Sequence, residues 1–228
     1  MDKTYVRDDA ILQSREILKG RFVIIDTETT GLKEPEIVQF ASLTSDNKAF
    51  STFVKPTVPI DPGATEVHHI TDAMVAEALP FRDYWFTVKY FLESNIRIVG
   101  YNVQYDLKAI RTSLDRNNCA DPLPYLEVFD VMPCYAAFEG TINPKYGTFQ
   151  WHKLEEAIQA CNLTYNGGAH DASHDCIATW NLLQFIANQS TTWEVAIDEL
   201  LAEVGAECGV PTSILETVAK ITYRKGAG

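Results

Sequence analysis

Two acidic residues, Asp26 and Glu28, follow a run of four apolar residues in the segment FVIIDTETTGL. The apolar run, residues 22–25, is typical of a buried strand, and the two-residue period of a strand places both carboxylates on the same side. Like charges held this close raise each other's pKa unless a cation neutralises them, and Mg²⁺ prefers carboxylate oxygens as ligands. The pair therefore indicates a metal site. The alternative is a pair of solvated acids at the end of a strand.

A third acidic residue, Asp106, lies in the segment IVGYNVQYDLKAI. The apolar run that begins at residue 96 predicts a strand ending near Tyr101, and Asn102 suits the N-cap of a following helix. Asp106 would then lie on the first turns of that helix, at the same end of the sheet as Asp26. Acids are also common in a first helical turn because of the helix dipole, so this segment alone leaves both interpretations open.

The segment GGAHDASHDCIATWNLLQF combines a glycine pair, histidines and acids. Gly167 and Gly168 indicate a flexible approach to a helix that is predicted to begin within residues 171–173. Asp175 would then project from the first turns of the helix, and His170 would lie at the edge of the loop. An imidazole with an ordinary pKa of about 6.5 can accept a proton near neutrality, which suits a hydrolytic site.

Other pairings remain open within this segment. If the helix began earlier, Asp171 and Asp175 would share one face, as would His170 and His174. A zinc cluster of His170, His174 and Cys176 is the least favoured interpretation. No second pair of Cys or His residues stands nearby at ligand spacing, and carboxylates dominate the segment's surroundings.

The elements that position these residues follow from the pattern of apolar runs. Three strands followed by strands that alternate with helices predict an α/β fold with a mixed central β-sheet flanked by helices. Residues 55–71 are too rich in Pro and Gly for a regular element, so we expect a loop with a short helix behind it. The predicted strands are 21–27, 36–45, 48–55, 96–101 and 126–131, and the predicted helices are 81–94, 103–117, 151–162 and 172–188.

The chain is predicted to have three parts: an N-terminal helical extension over residues 1–20, the α/β domain over 21–190, and a helical C-terminal appendage over 191–228. In the first part, Ile11 and Ile17 would line one side of a helix that ends at Gly20. Two capping boxes predict helices in the last part: Thr191 with Glu194 and Ser213 with Glu216.

The bulk composition restricts the function classes. The chain has 228 residues and a net charge of −12, with no apolar segment that predicts a membrane span or a signal peptide, so we expect a cytoplasmic protein. The net charge argues against tight, nonspecific binding to long duplex nucleic acid, although bound cations would add positive charge locally. Its cysteines are odd in number and form no CxxC pair, which favours reduced thiols: Cys119, Cys134, Cys161, Cys176 and Cys208.

Taken together, the three segments resemble the DEDDh 3′–5′ exonucleases, a branch of the DnaQ-like (ribonuclease H-like) superfamily. That branch includes bacterial proofreading (epsilon) subunits, ribonuclease T and oligoribonuclease. The resemblance covers about residues 21–188. The matching motifs are DTETTGL at 26–32, NVQYD at 102–106, with Tyr105 where Phe is commoner, and HDASHD at 170–175; His68-His69-Ile70 stands where the family usually has His-Gly-Ile.

The resemblance implies phosphodiester cleavage with two divalent cations, Mg²⁺ or Mn²⁺. Asp26 would bridge both ions, Glu28 and Asp175 would complete the site of the nucleophile-side ion, and Asp106 would hold the second ion. His170 would take the proton of the attacking water. The product would be a nucleoside 5′-monophosphate released from a 3′ end.

Substrate-binding residues follow less directly. The resemblance implies that the turn after the first strand contacts the terminal nucleotide, through Thr29, Thr30, Gly31 and Leu32. His69 belongs to the same pocket or has a structural role. Phe149 and Trp151 could stack on bases or pack in the core.

We therefore expect a DNA 3′–5′ exonuclease, either proofreading-like or a free-standing repair enzyme, acting on single-stranded DNA or frayed 3′ ends. An RNA exonuclease similar to ribonuclease T or oligoribonuclease is the nearest alternative. A catalytically silent binding module would be expected to have lost one of the acids or the histidine, and all five are present. Residues 191–228 could dock a polymerase, bind a second copy of the chain, or pack on the core.

Overall fold

The computed structural model describes residues 3–119, 127–165, 170–208, 211 and 213–214. The first half contains α1 (Lys3–Lys19), β1 (Phe22–Thr29), β2 (Ile37–Thr44), β3 (Ala49–Phe53), α2 (Pro62–His68), α3 (Asp72–Val75), α4 (Phe81–Glu93), β4 (Arg97–Gly100) and α5 (Val103–Arg116). The second half contains β5 (Glu127–Asp130), α6 (Val131–Glu139), α7 (Leu154–Ala160), α8 (Ala172–Ala187) and α9 (Thr192–Cys208).

The strands form one mixed sheet in the order β3-β2-β1-β4-β5. β1 pairs antiparallel with β2 and β2 antiparallel with β3, whereas β4 and β5 run parallel to β1. The predicted mixed sheet flanked by helices is confirmed. Because β1, β4 and β5 run in one direction, their carboxyl ends meet at one edge of the sheet. The turn after β1, the start of α5 after β4 and the start of α6 after β5 lie at this edge.

Central strand β1 is covered on both faces, which explains its continuous apolar run. Phe22 and Ile24 point into a core cluster shared with α1, α6 and α8. Val23 and Ile25 point to the opposite face, into a cluster built mainly with α4 and α5. The even-numbered residues of β1 therefore face α8, and the odd-numbered residues face α5.

The predicted N-terminal helix is confirmed as α1, and it packs into the core. Ile11 and Ile17 are buried in the same cluster as Phe22 and Ile24. Gly20 follows the helix, with its N–H donating to the carbonyl of Ile17 at 3.1 Å. The placement of a domain boundary at residue 20 remains a prediction.

Two helices differ from the expectations. Residues 55–71 were predicted to be a loop with a short helix behind it; α3 follows the segment, but the segment also contains α2. Helix α2 forms because Asp61 accepts a hydrogen bond from Gly63 N–H as N-cap and Pro62 occupies the first helical position, where its missing N–H costs nothing. Helix α6 was not predicted. Asp130 caps its start, and Gly140 ends it in the left-handed conformation, with a φ of 83°.

The predicted capping box before α9 is confirmed. Thr191 N–H donates to Glu194 Oε2 at 2.8 Å, and Glu194 N–H donates back to Thr191 Oγ1 at 3.4 Å. Glu194 also forms an ion pair with Arg15 of α1 at 2.9 Å, which ties the start of α9 to the core. The second predicted appendage helix lies outside the described residues except for Ser213 and Ile214. None of the described helices is both long enough and apolar enough to cross a lipid bilayer.

Candidate active site

Strand β1 brings Asp26 and Glu28 to the same face of the sheet, as the two-residue period predicts. Asp26 lies opposite Ala41 of β2, a member of the core cluster under α8, and Glu28 lies opposite Gln39 of the same strand. The ladder shifts register between Glu28 and Thr29, so the regular pairing of the strand is interrupted directly after the second acid. Both carboxylates therefore lie at the carboxyl end of the central strand, on the side that faces α8.

Helix α8 supplies the next two residues. It begins after Asp171, and Asp175 lies on its first turn and is buried. His170 precedes the helix with a φ of 65° and is exposed. One ligand atom each from Glu28, His170 and Asp175 lies within 4.8 Å of the other two. The glycine pair predicted to lead into this helix, at 167–168, lies outside the described residues.

Asp106 reaches the same edge from the other face of the sheet. It lies in the first turn of α5, is buried, and accepts a hydrogen bond from Thr27 Oγ1 at 2.7 Å. Asn102 occupies the N-cap position as predicted, but it adopts the left-handed conformation, with a φ of 62°, and its side chain makes no capping hydrogen bond. Its backbone N–H instead donates to Asp130 Oδ1 at 2.8 Å, which ties the start of α5 to the end of β5.

Burial and mutual repulsion dominate the electrostatics of this cluster. Burial raises the pKa of Asp26 well above its usual range, and the charges of Asp106, Asp175 and Glu28 raise it further. Burial and the neighbouring acids raise the pKa of Glu28 to about 8. Burial raises the pKa of Asp106 to about 7 despite the hydrogen bond from Thr27. Four carboxyl groups are thus held where their negative charge is unfavourable unless a cation is bound.

The donor set fits hard divalent cations. Mg²⁺, Mn²⁺ and Ca²⁺ prefer carboxylate oxygens, and these residues provide four carboxylates with one imidazole at the rim. A zinc cluster through Cys176 does not fit, because the Cys176 thiol is buried and lies 3.9 Å from the carbonyl of Ile24. Burial also raises the pKa of this thiol well above its usual range, which disfavours the thiolate that zinc requires.

The alternative pairing of Asp171 with Asp175 is resolved by the helix start. Asp171 is the N-cap of α8, and its Oδ1 accepts the N–H of Ser173 at 2.9 Å. Although burial opposes it, hydrogen bonds from Gln39 and Ser173 hold the pKa of Asp171 below its usual range. His174 Nδ1 lies 3.8 Å from Asp171 Oδ1. Asp171 therefore holds the helix start, while Asp175 points into the acidic cluster.

The turn after β1 is fixed by hydrogen bonds. Thr29 Oγ1 lies 2.6 Å from the Tyr105 hydroxyl oxygen, and this hydroxyl donates to the carbonyl of Gly31 at 3.1 Å. Thr30 N–H donates to the carbonyl of Glu36 at 2.8 Å. The side chain of Leu32 is 82% exposed at the tip of the turn. The four residues predicted to bind substrate thus form one ordered stretch beside the acids, from the last residue of β1 to the tip of the turn, where an apolar side chain is directed to solvent.

The histidine pair between the motifs separates into two roles. His69 lies at the C-cap of α2 with a φ of 61°, and it is exposed. His68 is buried; its Nδ1 accepts the N–H of Ile70 at 3.0 Å, and its Nε2 lies 3.1 Å from the carbonyl of Thr29. The proton therefore sits on Nε2, and burial lowers the pKa of this imidazole, which keeps it neutral. His68 supports the turn, and His69 remains a candidate substrate contact.

Two residues that support the acids were missed in the sequence. Gln39 donates from Nε2 to Asp171 Oδ2 at 3.2 Å, and its Oε1 accepts the N–H of Ala172 at 3.2 Å. The Tyr165 hydroxyl donates to Asp175 Oδ1. A polar residue inside the apolar strand β2 was the available signal for Gln39. Nothing in the sequence around Tyr165 identified its partner.

The two aromatic candidates differ in exposure. Trp151 is 66% exposed, whereas Phe149 is half-buried and forms a β-bridge with Ile142. The neighbouring His152 carbonyl accepts the Tyr101 hydroxyl at 2.8 Å, which places this segment near the end of β4. Of the two, Trp151 keeps a free ring surface on which a base could stack.

Comparison with known proteins defines the class of enzyme. Residues 23–183 match the RNase_T family model, described as Exonuclease, and the chain therefore belongs to this exonuclease family. The chain is 31% identical over 195 residues to an uncharacterized exonuclease, CP81, of Escherichia phage 186, a match covering 77% of this chain and 92% of the phage protein. It is 29% identical over 160 residues to the DNA polymerase III subunit epsilon of Treponema pallidum, which covers 68% of this chain and 70% of that protein.

A solved structure with the same fold is that of exonuclease X in complex with 5′ overhanging duplex DNA. Its TM-score is 0.57 at 25% identity, and the match covers 75% of this chain and 95% of exonuclease X. The predicted ribonuclease H-like exonuclease fold and the predicted nuclease activity are thereby confirmed.

Proposed function

We propose that this enzyme is a divalent-cation-dependent 3′–5′ exonuclease that removes nucleoside 5′-monophosphates from single-stranded or frayed 3′ ends of DNA. The observation that carries the proposal is the convergence of Asp26, Glu28, Asp106, Asp175 and His170 at one edge of the sheet. They come from β1, α5 and the start of α8, so this convergence depends on the fold as a whole.

The four acids would hold two cations, Mg²⁺ or Mn²⁺. Asp26 is the natural shared ligand, because the charges of Asp106, Asp175 and Glu28 all act on it. Glu28 and Asp175 would complete one site, and Asp106 would contribute to the other. When bound, the two cations supply the positive charge that activates a water molecule and stabilises the oxygen leaving phosphorus.

His170 would accept the proton of the attacking water. It is exposed, precedes α8, and has a ring nitrogen within 4.8 Å of carboxylate oxygens of Glu28 and Asp175. A base at the rim can pass the proton on to solvent after each turnover. Tyr165 and Gln39 would position the ligands: Tyr165 donates to Asp175, and Gln39 holds the helix start.

The terminal nucleotide would lie against the turn after β1. Leu32 offers an exposed apolar surface, and Thr29, Thr30 and Gly31 lie beside the acids, held in place by hydrogen bonds to their backbone groups. Gly31 adopts a φ of 151°, a conformation that other residues rarely adopt, so the close approach of backbone to substrate depends on glycine here. His69 would contact the same nucleotide from the end of α2.

The choice of DNA as substrate is supported by the relatives. One is a subunit of a DNA polymerase, and exonuclease X is seen with duplex DNA that carries a 5′ overhang.

The polymerase relationship also supports a polymerase subunit as the partner for residues 191–228. Val195 and Leu200 of α9 have exposed apolar side chains available for such a contact.

A time course on oligonucleotides labelled at the 3′ or the 5′ end tests polarity, sugar preference and strandedness together. The substrates are single-stranded DNA, duplex DNA and RNA, each with Mg²⁺ or Mn²⁺. We expect early release of the 3′ label as mononucleotide, stepwise shortening of 5′-labelled strands, and the fastest reaction on single-stranded DNA. Asp26→Ala and Asp175→Ala are the inactive controls. Internal cuts or early release of 5′ mononucleotide would refute the proposal, and a faster reaction on RNA would replace DNA as the substrate.

A further inference from the structure

A strip of basic side chains lies between the turn after β1 and the exposed face of α5. Lys108 Nζ donates to the carbonyl of Leu32 at 3.4 Å and to that of Lys33 at 3.1 Å. Arg111 lies three residues further along α5, and residues three apart are neighbours on a helix surface. Lys33, Lys108 and Arg111 are all exposed, and together they form what we call the basic strip.

The charge of the basic strip is not neutralised by partners in the described part of the chain. Lys33 and Arg111 form no ion pair there, and Lys108 bonds only to uncharged carbonyl oxygens. Some exposed lysines elsewhere do have acidic partners: Lys48 is paired with Asp46 at 2.9 Å.

The nearby acids are engaged in other contacts or lie farther along the helix. Glu34 is paired with Arg116, and Asp61 accepts the N–H of Gly63 at 2.8 Å as the cap of α2. Asp115 is exposed one turn beyond Arg111, farther from the start of α5. In a chain of net charge −12, a surface with three cations that form no ion pair among the described residues differs in sign from the molecule as a whole.

The basic strip begins where the catalytic residues end. Asp106 lies in the first turn of α5; Lys108 follows two residues later and Arg111 five residues later, about 7.5 Å of helical rise. The same end of the strip adjoins Leu32, the exposed side chain proposed to contact the terminal nucleotide, because Lys108 donates to the Leu32 carbonyl; Arg111 lies at the far end. A strand with its terminal nucleotide at Leu32 would therefore carry its next phosphates over these cations.

We propose that Lys33, Lys108 and Arg111 bind backbone phosphates of the single DNA strand on the 5′ side of the nucleotide being removed. This inference rests on the proposed function, since it assumes that the strand end lies at the acidic site. Phosphate contacts supply affinity without reading sequence, which suits an enzyme that must retain any strand while shortening it. They also offset the repulsion between DNA and a protein of high negative charge.

The test is the affinity of the full chain for a fluorescein-labelled single-stranded DNA, measured by anisotropy in Ca²⁺ over a series of salt concentrations. The test variant is Lys33→Gln/Arg111→Gln, which leaves Lys108 in place because its ammonium group holds the turn. Lys33→Arg/Arg111→Lys keeps both charges. Lys19→Gln/Lys48→Gln removes two exposed charges at the opposite end of β1, where α1 ends and β2 turns into β3.

We expect the Gln double variant to bind severalfold more weakly, with a salt slope that is shallower by about 1.4, because each phosphate contact on single strands contributes ~0.7. The charge-preserving variant and the Lys19/Lys48 control should match the unmodified chain. An unchanged Kd and salt slope for the Gln variant would overturn the proposal that these residues bind phosphates. If the chain binds DNA through the strip in a salt-dependent way but releases no nucleotide, the proposed function is refuted and the phosphate-binding role of the strip is retained.

Discussion

At the residue scale, the two histidines of the third motif differ in position although they are four residues apart. His170 precedes α8 in the left-handed conformation, is exposed, and has a ring nitrogen near Glu28 and Asp175. His174 lies inside the first turn, half-buried beside Asp171. A general base must be open to solvent and must lie beside the acidic cluster. His170 meets both conditions, whereas His174 is half-buried beside Asp171.

We therefore predict that His170→Ala lowers kcat by about 10²–10⁴-fold, the usual contribution of a general base, whereas His174→Ala lowers it little. Single-turnover release of 3′-terminal nucleotide from single-stranded DNA measures the effect. His174→Ala is the matched control, because both variants remove an imidazole from the same short segment. A larger loss of kcat for His174→Ala than for His170→Ala would identify His174 as the general base.

At the scale of elements, the geometry of the site depends on how α8 is attached to the sheet. Gln39 of β2 lies directly across from Glu28, and its amide bonds both Asp171 and the N–H of Ala172. It therefore fixes the start of α8, and with it Asp175, relative to the strand that carries Glu28. Residues that orient metal ligands in this way are a recurring feature of metal sites.

Replacing Gln39 by Leu should weaken Mn²⁺ binding by about 10- to 100-fold, because both of its hydrogen bonds to the helix start are lost. The N–H groups of Ser173 and His174 still donate to Asp171 in this variant, so the helix cap remains. Isothermal titration of the metal-free protein with Mn²⁺ measures this affinity without relying on activity. Gln159→Leu, on the exposed side of α7, is the matched control. Equal Mn²⁺ affinity for the two variants would remove Gln39 from a positioning role.

The elements also explain which features the sequence could predict. The strands and long helices were placed correctly because buried strands carry continuous apolar runs and amphipathic helices carry a clear period. Helix α6 escaped detection because it is apolar around most of its surface and contains Pro133, and α2 because Pro62 and Gly63 resemble loop residues. The four acids were identifiable because Asp26 and Glu28 follow an apolar run in β1, and Asp106 and Asp175 lie in the first turns of helices.

The supporting contacts could not be predicted, because they join residues that are distant in the chain. Gln39 and Asp171 are separated by 132 residues, and no local pattern reports such a contact. The histidine pair needed the exact end of α2 for its interpretation. His68 is the last residue of α2 and its side chain points inward to Thr29, whereas His69, one residue later at the C-cap, is exposed.

At the scale of the whole molecule, the fold holds four acidic side chains close together although their negative charges repel one another. Core clusters on both faces of β1 fix the strand, α5 approaches from one face and α8 from the other, and their acids meet at its end. The raised pKa values of Asp26, Glu28 and Asp106 reflect the cost of this arrangement without cations. The basic strip extends the same site outward and gives a highly acidic protein a route by which to hold a phosphate backbone.

The most direct test of this account is the chemical identity of the product. Single-stranded DNA is digested with Mn²⁺ in ¹⁸O-labelled water, and the released species are analysed by mass spectrometry, with Asp26→Asn as the control. Attack of water on phosphorus at the 3′ end should release nucleoside 5′-monophosphates that each carry one ¹⁸O atom on phosphorus, and the Asp26→Asn variant should release none. Release of nucleoside 3′-monophosphates, or equal turnover by that variant, would contradict it.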